Sequence, residues 1–380
     1  MKIGFLTSEY PHPSFGNSGG IGTSIKSLAI SLINLGHQVT IILYGQKKDD
    51  SVTVDGIHFI TVKNPKLKGL SWLLLRLKLQ KIINKEIETG NIEVLEVSDW
   101  TGISAFMNLK CPVAMRLHGT DTVFCYLDNR KVKSWNKYLE GNALKKADGI
   151  IAVSDFIGKQ TNLVFKHNFS YTVIYNGINP SEFPQTNNTS QNKVILYFGT
   201  LIRKKGVLEI PYIFNEVYTQ SPNSKLILIG YDAPDIKTGS TSTWELMKPM
   251  FNKSSFENIS YLGKISHSEM SDYIQNATVC IFPSYAEAFP ISWLEAMCMG
   301  KALATSNIGW SNEIIKDQVN GLMESPSNHK AFAANILKLL NQPVLNQMIG
   351  NNAQETIISK FTAFHTATQT VQFYSSLLKR

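Results

Sequence analysis

Two hydrophobic textures alternate along the chain. Short, nearly continuous apolar runs read as buried strands, and longer stretches with apolar positions three and four apart read as helices. KIGFLTSE is the first strand; a glycine-containing loop, NSGGIG, follows, and TSIKSLAISLINLG then has helical spacing that ends at Gly36. HQVTIILYG, IHFITV, IEVLEV, CPVAMRL and GIIAVS are further strands, each separated from the next by a helix or a loop. This strand-helix rhythm implies a parallel sheet covered by helices, with ligands beyond the carboxyl ends of its strands.

The segment YTVIYNGINPSEF leads into QTNNTSQNK, a polar stretch rich in Asn and Thr that reads as a domain linker. After it the rhythm restarts, with strands at KVILYFG, KLILIG, ISYLG, TVCIFPS and ALATS. The expected architecture is therefore α/β, with two doubly wound domains at residues 1–180 and 181–358. Both would point their strand ends into a cleft able to hold a large ligand. The last segment, 359–380, is helical in pattern and too short to be a domain. No short-period repeat relates the halves, which excludes a solenoid.

Length and composition agree with this reading. A chain of 380 residues suits two domains, and 43% hydrophobic with 17% charged residues describes a globular protein with ample core. The four cysteines are scattered, with no metal-ligand spacing, and read as reduced core residues of a cytoplasmic protein. MKIGFLTSEY reads as a strand and not as a signal peptide. No window approaches the roughly 20 apolar residues of a spanning helix. No metal or cofactor is expected.

The net charge of +8 favours an anionic partner, and its placement narrows the choice. Residues 63–85 carry seven lysines and arginines and no acid, with Leu and Ile at helical spacing and Trp72 near the start. Two readings stay open: a surface helix that packs its leucines on a sheet, or a basic amphipathic helix lying on an anionic membrane. No nucleic-acid motif accompanies the basic balance, so no nucleic-acid partner is expected.

Three loops carry candidate chemistry. Gly19, Gly20 and Gly22 follow the first strand and open a helix, where backbone N–H groups can approach a phosphate; the spacing is not that of a dinucleotide fingerprint. In FGTLIRKKG, Arg203, Lys204 and Lys205 crowd the turn after the first strand of the second half, which suits a diphosphate. In SYAEAFPISWLEAMCMG, residues 284–300, Glu287 and Glu295 lie in an otherwise apolar segment at the end of a strand. Helix-dipole stabilisation is one explanation. The other is a polyol whose hydroxyls satisfy acceptors that lack protein donors nearby in sequence.

Together with HGTD at 118–121, ADGIIAVS at 147–154 and YNGIN at 175–179, these motifs resemble the retaining, nucleotide-sugar-dependent glycosyltransferases of family 4. The resemblance covers most of the chain and implies the GT-B fold, two Rossmann-like domains, with residues 359–380 crossing back to the first domain. It implies that Glu287 and His118 lie at the donor sugar, and that Ala288, Phe289 and Pro290 line the sugar and phosphate pocket. It also implies that Glu295 takes the ribose and Lys205 the diphosphate. Thr200 stands where the family usually has an arginine, so either Arg203 makes that contact or the diphosphate is held less tightly.

The implied reaction moves a hexose from a nucleotide diphosphate sugar, a UDP-sugar first and GDP-mannose second, to a glycan or lipid-linked oligosaccharide. The setting would be surface polysaccharide assembly, at the inner face of the cytoplasmic membrane if residues 63–85 dock there. Lys205, Arg203 and the glycine-loop N–H groups would stabilise the leaving diphosphate, and Glu287 would position and stabilise charge without acting as nucleophile. Asp99 and Trp100, in VSDWTG at 97–102 where the IEVLEV strand ends, and Asp121 are the candidate acceptor contacts. The alternatives are a non-catalytic sugar-binding protein and a nucleotide-sugar epimerase.

Overall fold

The computed structural model of the chain describes residues 1–16, 18–183 and 193–379. They form two compact units, Met1–Gly177 with Ala363–Arg380, and Ile178–Thr362. All of the expected linker except Lys193 lies outside the described residues.

The first unit is built on strands β1 (Lys2–Thr7), β2 (Gln38–Gln46), β3 (Asp50–Val54), β4 (Ile57–Lys63), β5 (Val94–Ser98), β6 (Val113–Leu117), β7 (Gly149–Ala152) and β8 (Thr172–Val173). Their order in the sheet is β3-β4-β2-β1-β5-β6-β7-β8. The strands that start from β1 and run outward in both directions pair in parallel. Only β3 is antiparallel, joined to β4 through Asp55 and Gly56, both at positive φ. That Asp-Gly pair is a hairpin signal in the sequence, but the exposed, polar β3 has no apolar run to mark it.

Helices α1 (Gly20–Asn34), α2 (Ser71–Glu88), α3 (Asp121–Leu127), α4 (Ser134–Lys146) and α5 (Asp155–Phe165) complete this unit with the final helix, Ala363–Leu378. One face of the sheet packs Ile3, Phe5, Ile41 and Phe59 against Ile25, Leu28 and Leu32 of α1 and against Ala367, Tyr374 and Leu377 of the final helix. A buried polar network pins that last helix. Arg116 of β6 grips Glu96 of β5 with two hydrogen bonds, at 2.9 and 2.8 Å, and Tyr374 donates to the same carboxylate at 2.6 Å. Arg116 also reaches the Thr370 hydroxyl at 3.1 Å. A charge pair this deep is tolerable because its hydrogen-bonding capacity is so fully used.

Helix α2 shows how much of the basic segment 63–85 is covered by protein. Leu75, Leu79 and Ile83 are buried in the unit, so the apolar face is already covered by protein. Arg76 is also buried and donates to the Trp72 and Gly102 carbonyls, while Lys78 holds Asp49 at 2.7 Å. The helix packs Leu75, Leu79 and Ile83 into the unit and leaves Leu77 exposed.

The second unit contains β9 (Val194–Phe198), β10 (Lys225–Ile229), β11 (Ile259–Tyr261), β12 (Val279–Phe282), β13 (Ala302–Ser306) and β14 (Leu322–Glu324), in the order β11-β10-β9-β12-β13-β14. All pairings are parallel. Its helices are α6 (Ile210–Gln220), α7 (Thr243–Met247), α8 (Lys253–Phe256), α9 (His267–Asn276), α10 (Ile291–Cys298), α11 (Ser311–Ile314), α12 (His329–Asn341) and α13 (Pro343–Lys360). The order reverses between β9 and β12. Connections leave that point in opposite directions, which opens a crevice at the carboxyl ends of these two strands.

Candidate active site

The loops that follow β9 and β12 carry the basic turn and the first glutamate. Gly206, at φ +65°, lies so close to β12 that a Cβ there would sit 1.7 Å from the Pro283 carbonyl oxygen. The Lys204 carbonyl accepts from the Tyr285 and Ala286 amides at 2.8 and 3.1 Å. These contacts leave little freedom in how the two loops meet. Lys205 Nζ lies 2.7 Å from Glu287 Oε1, and the Ser284 hydroxyl donates to the same oxygen at 3.2 Å. Glu287 therefore does have protein donors, Ser284 three residues before it and Lys205 from the other loop. Gly199, at the end of β9, has no side chain to fill the space beside Lys205: a Cβ there would be 3.8 Å from Nζ.

Glu295 stands on α10, in the second turn, half-buried among Trp293, Leu294 and Ala296. Burial pushes its carboxyl up to about 7, Lys205 pulls it down, and Glu182 raises it further. Pro290 caps α10, Phe289 is buried with its ring 5.5 Å from that of Phe361, and Ala288 is half-buried beside Glu287.

Arg203 differs from its expected role. Its Nε and Nη2 each donate at 2.8 Å to Asp235, which also accepts from the Thr238 amide and hydroxyl. The guanidinium holds the Asp235 carboxyl well below the usual carboxylate range. Most of the guanidinium fork is thus committed to bracing the loop after β10, and Lys205 is the better placed cation.

In the first unit, expected site groups have partners within the chain. The Gly19 amide donates to Glu9 Oε2 at 2.5 Å and the Gly22 amide to Glu9 Oε1 at 3.3 Å, so a carboxylate of the chain itself occupies two donors assigned to a diphosphate. Gly20 begins α1 between them. Asp99 is buried, and its two oxygens accept from the His118 and Gly119 amides at 2.9 and 3.0 Å. Its carboxylate is engaged by the backbone after β6.

The same loop is held from its other end. Glu140 of α4 accepts from the Asp121 and Thr122 amides at 3.1 and 3.2 Å and from the Thr122 hydroxyl at 2.5 Å. Two buried carboxyls therefore grip the HGTD segment, and burial pushes each up to about 7. His118 is buried on this segment, and burial together with nearby Arg116 pushes its imidazole down to about 3, so it is neutral near pH 7. Asp121 accepts from Asn136 at 2.9 Å, and Trp100 is 39% exposed on a single helical turn.

Two family models divide the chain between them: Glycosyltransferase Family 4 matches residues 18–182 and Glycosyl transferases group 1 matches residues 179–356. The chain belongs to the family 4 glycosyltransferases. This glycosyltransferase is 25% identical to an uncharacterized glycosyltransferase of Methanocaldococcus jannaschii, over 98% of each chain. Its fold matches the sucrose-phosphate synthase of Thermosynechococcus elongatus with a TM-score of 0.81 at 19% identity, covering 100% of both chains. Anabaena HepE, solved in complex with UDP-glucose, matches with a TM-score of 0.72 at 19% identity over 99% of this chain and 100% of that one. The two parallel-sheet domains are those of the GT-B glycosyltransferases.

Proposed function

We propose that this glycosyltransferase moves a hexose from a UDP-sugar to a hydroxyl of a glycan or lipid-linked oligosaccharide, with retention at the anomeric carbon, in surface polysaccharide assembly. The observation that carries the reading is the Lys205–Glu287 pair at the β9/β12 switch point, with Glu295 on the helix that follows. A structural relative in complex with UDP-glucose favours a UDP-sugar over GDP-mannose.

In the reaction, the bond between the anomeric carbon and the β-phosphate oxygen breaks while the acceptor oxygen bonds to the same face of that carbon. The acceptor's proton passes to the leaving phosphate oxygen. Lys205 neutralises the charge that grows on the diphosphate, a contribution made in the transition state more than in the ground state. Glu287, steadied by Lys205 and Ser284, accepts from hydroxyls of the donor sugar and stabilises positive charge at the anomeric carbon. Glu295 accepts from the ribose hydroxyls. From the first unit, the neutral His118 imidazole can donate one hydrogen bond and accept another.

The test is incubation of the purified enzyme with UDP-glucose, UDP-galactose, UDP-N-acetylglucosamine, UDP-glucuronic acid and GDP-mannose, with and without polyprenyl-diphosphate-linked saccharides. Acceptor-dependent release of UDP, with an α-linked product from an α-linked donor, is the expected result. Interconversion of the donor sugars without transfer would support an epimerase.

A further inference from the structure

Four aromatic rings close a circuit on the first unit. Trp72 lies 6.2 Å from Phe106 and 5.1 Å from Trp135, and Tyr138 lies 6.0 Å from Phe106 and 5.5 Å from Trp135. They come from the first turn of α2, the loop after β5 and the first turns of α4. In spite of this packing the cluster faces solvent: Phe106 is 39%, Trp135 47% and Tyr138 53% exposed. Phe106 is held at φ +65°, a backbone conformation that aromatic residues rarely adopt. Leu70, just before α2, is 49% exposed as well.

Charge around the rings has one sign. Lys66 and Lys68 precede α2, and Lys131, Lys133 and Lys137 surround Trp135; all five are exposed. Neither 63–85 nor 129–139 contains an acidic residue; Asp128, just before the second segment, is paired with Arg130, and Glu140, just after it, is buried on the Thr122 side. We propose that this ring cluster and its lysines form a docking surface for an anionic lipid bilayer. Trp and Tyr rings settle at the headgroup level of a bilayer, and the lysines meet the negative surface. The one-signed charge disfavours a second copy of the same surface as the occupant, since like charges would meet. The face rests on the fold and not on the transfer reaction, so it can fail while the catalytic reading stands, and the reverse.

The experiment is co-sedimentation of the whole chain with phosphatidylglycerol-containing vesicles and with pure phosphatidylcholine vesicles, at low and high salt. The wild type is expected to bind the anionic vesicles selectively, and more weakly at high salt. The triple change Lys131→Glu, Lys133→Glu and Lys137→Glu lies on exposed positions and is expected to keep its Tm. At about fivefold per lysine it should lose roughly a hundredfold in affinity. Trp135→Ser with Tyr138→Ser, also on exposed positions, should weaken binding at high salt, where the apolar contribution dominates. Equal binding of wild type and both variants, or no selectivity for anionic vesicles, would overturn the proposal. So would a concentration-dependent dimer that the same changes abolish while vesicle binding stays absent.

Discussion

Lys205 Nζ and Glu287 Oε1 lie 2.7 Å apart, brought together by two loops that leave neighbouring strands at the reversal of the second sheet. Lys205→Ala is expected to lower kcat about a hundred- to a thousandfold, since the charge that grows on the leaving diphosphate loses its counter-ion. Donor KM should change less, because part of the interaction appears only in the transition state. Steady-state kinetics on the donor identified by the screen check this. Equal losses confined to KM would assign Lys205 to ground-state binding alone.

Glu295 predicts a pH signature. Its carboxyl is pushed up to about 7, and the ionised form is the stronger acceptor for ribose hydroxyls. Affinity for a UDP-sugar, whose diphosphate does not titrate near neutrality, should therefore fall as pH drops from about 8 to 6, and Glu295→Gln should flatten the profile. Stability runs the other way. Between the unfolded carboxyl value and about 7 the native state holds the proton more tightly, so this group's contribution diminishes as pH rises. The ligand-free Glu295→Gln protein should be more stable than wild type at about pH 8, by about 1–3 kcal/mol in denaturant melts.

Asp99 predicts a positioning effect. Its carboxylate holds the His118 and Gly119 amides, so Asp99→Ala leaves two buried donors unpaired at a cost of about 1–3 kcal/mol. Because the loop it frees carries His118, kcat should fall more than donor affinity. An acceptor-binding role would instead raise acceptor KM with little loss of stability, and the pair of measurements separates the two.

Much of the fold was legible because parallel strands buried on both faces read as continuous apolar runs, as in VILYF of β9 and VCIF of β12. β3 was not, since a solvent-exposed hairpin strand has no such run, although Asp55-Gly56 marks its turn. The candidate site was legible where a motif sits in one loop, as with Glu287 and the basic turn at 203–205. It was hidden where a partner comes from elsewhere in the chain. Glu9 reaches the glycine amides from the far side of its loop, Asp99 meets His118 only through the pairing of β5 with β6, and Asp235 takes Arg203 from the loop after β10. Residues 63–85 were only partly legible for the same reason: Arg76 looks like one more surface cation until its carbonyl partners at Trp72 and Gly102 are seen.

The network that pins the final helix carries its own expectation. Tyr374→Phe removes a donor to Glu96 and should cost about 1–2 kcal/mol; Glu96→Ala leaves Arg116 buried without its counter-ion and should cost about 3–5 kcal/mol. Denaturant midpoints of the two variants check the order. Equal costs would mean that Arg116 finds another partner.

The central claim is that the donor nucleotide is held in the second unit by Lys205 and Glu295. Titration of UDP into wild type, Lys205→Ala and Glu295→Ala, each shown to be folded by its melting curve, tests it most directly. Binding by wild type and a loss of at least about tenfold in each variant, equivalent to one charge-assisted hydrogen bond, is the predicted result. UDP binding that is unchanged in both variants would contradict it.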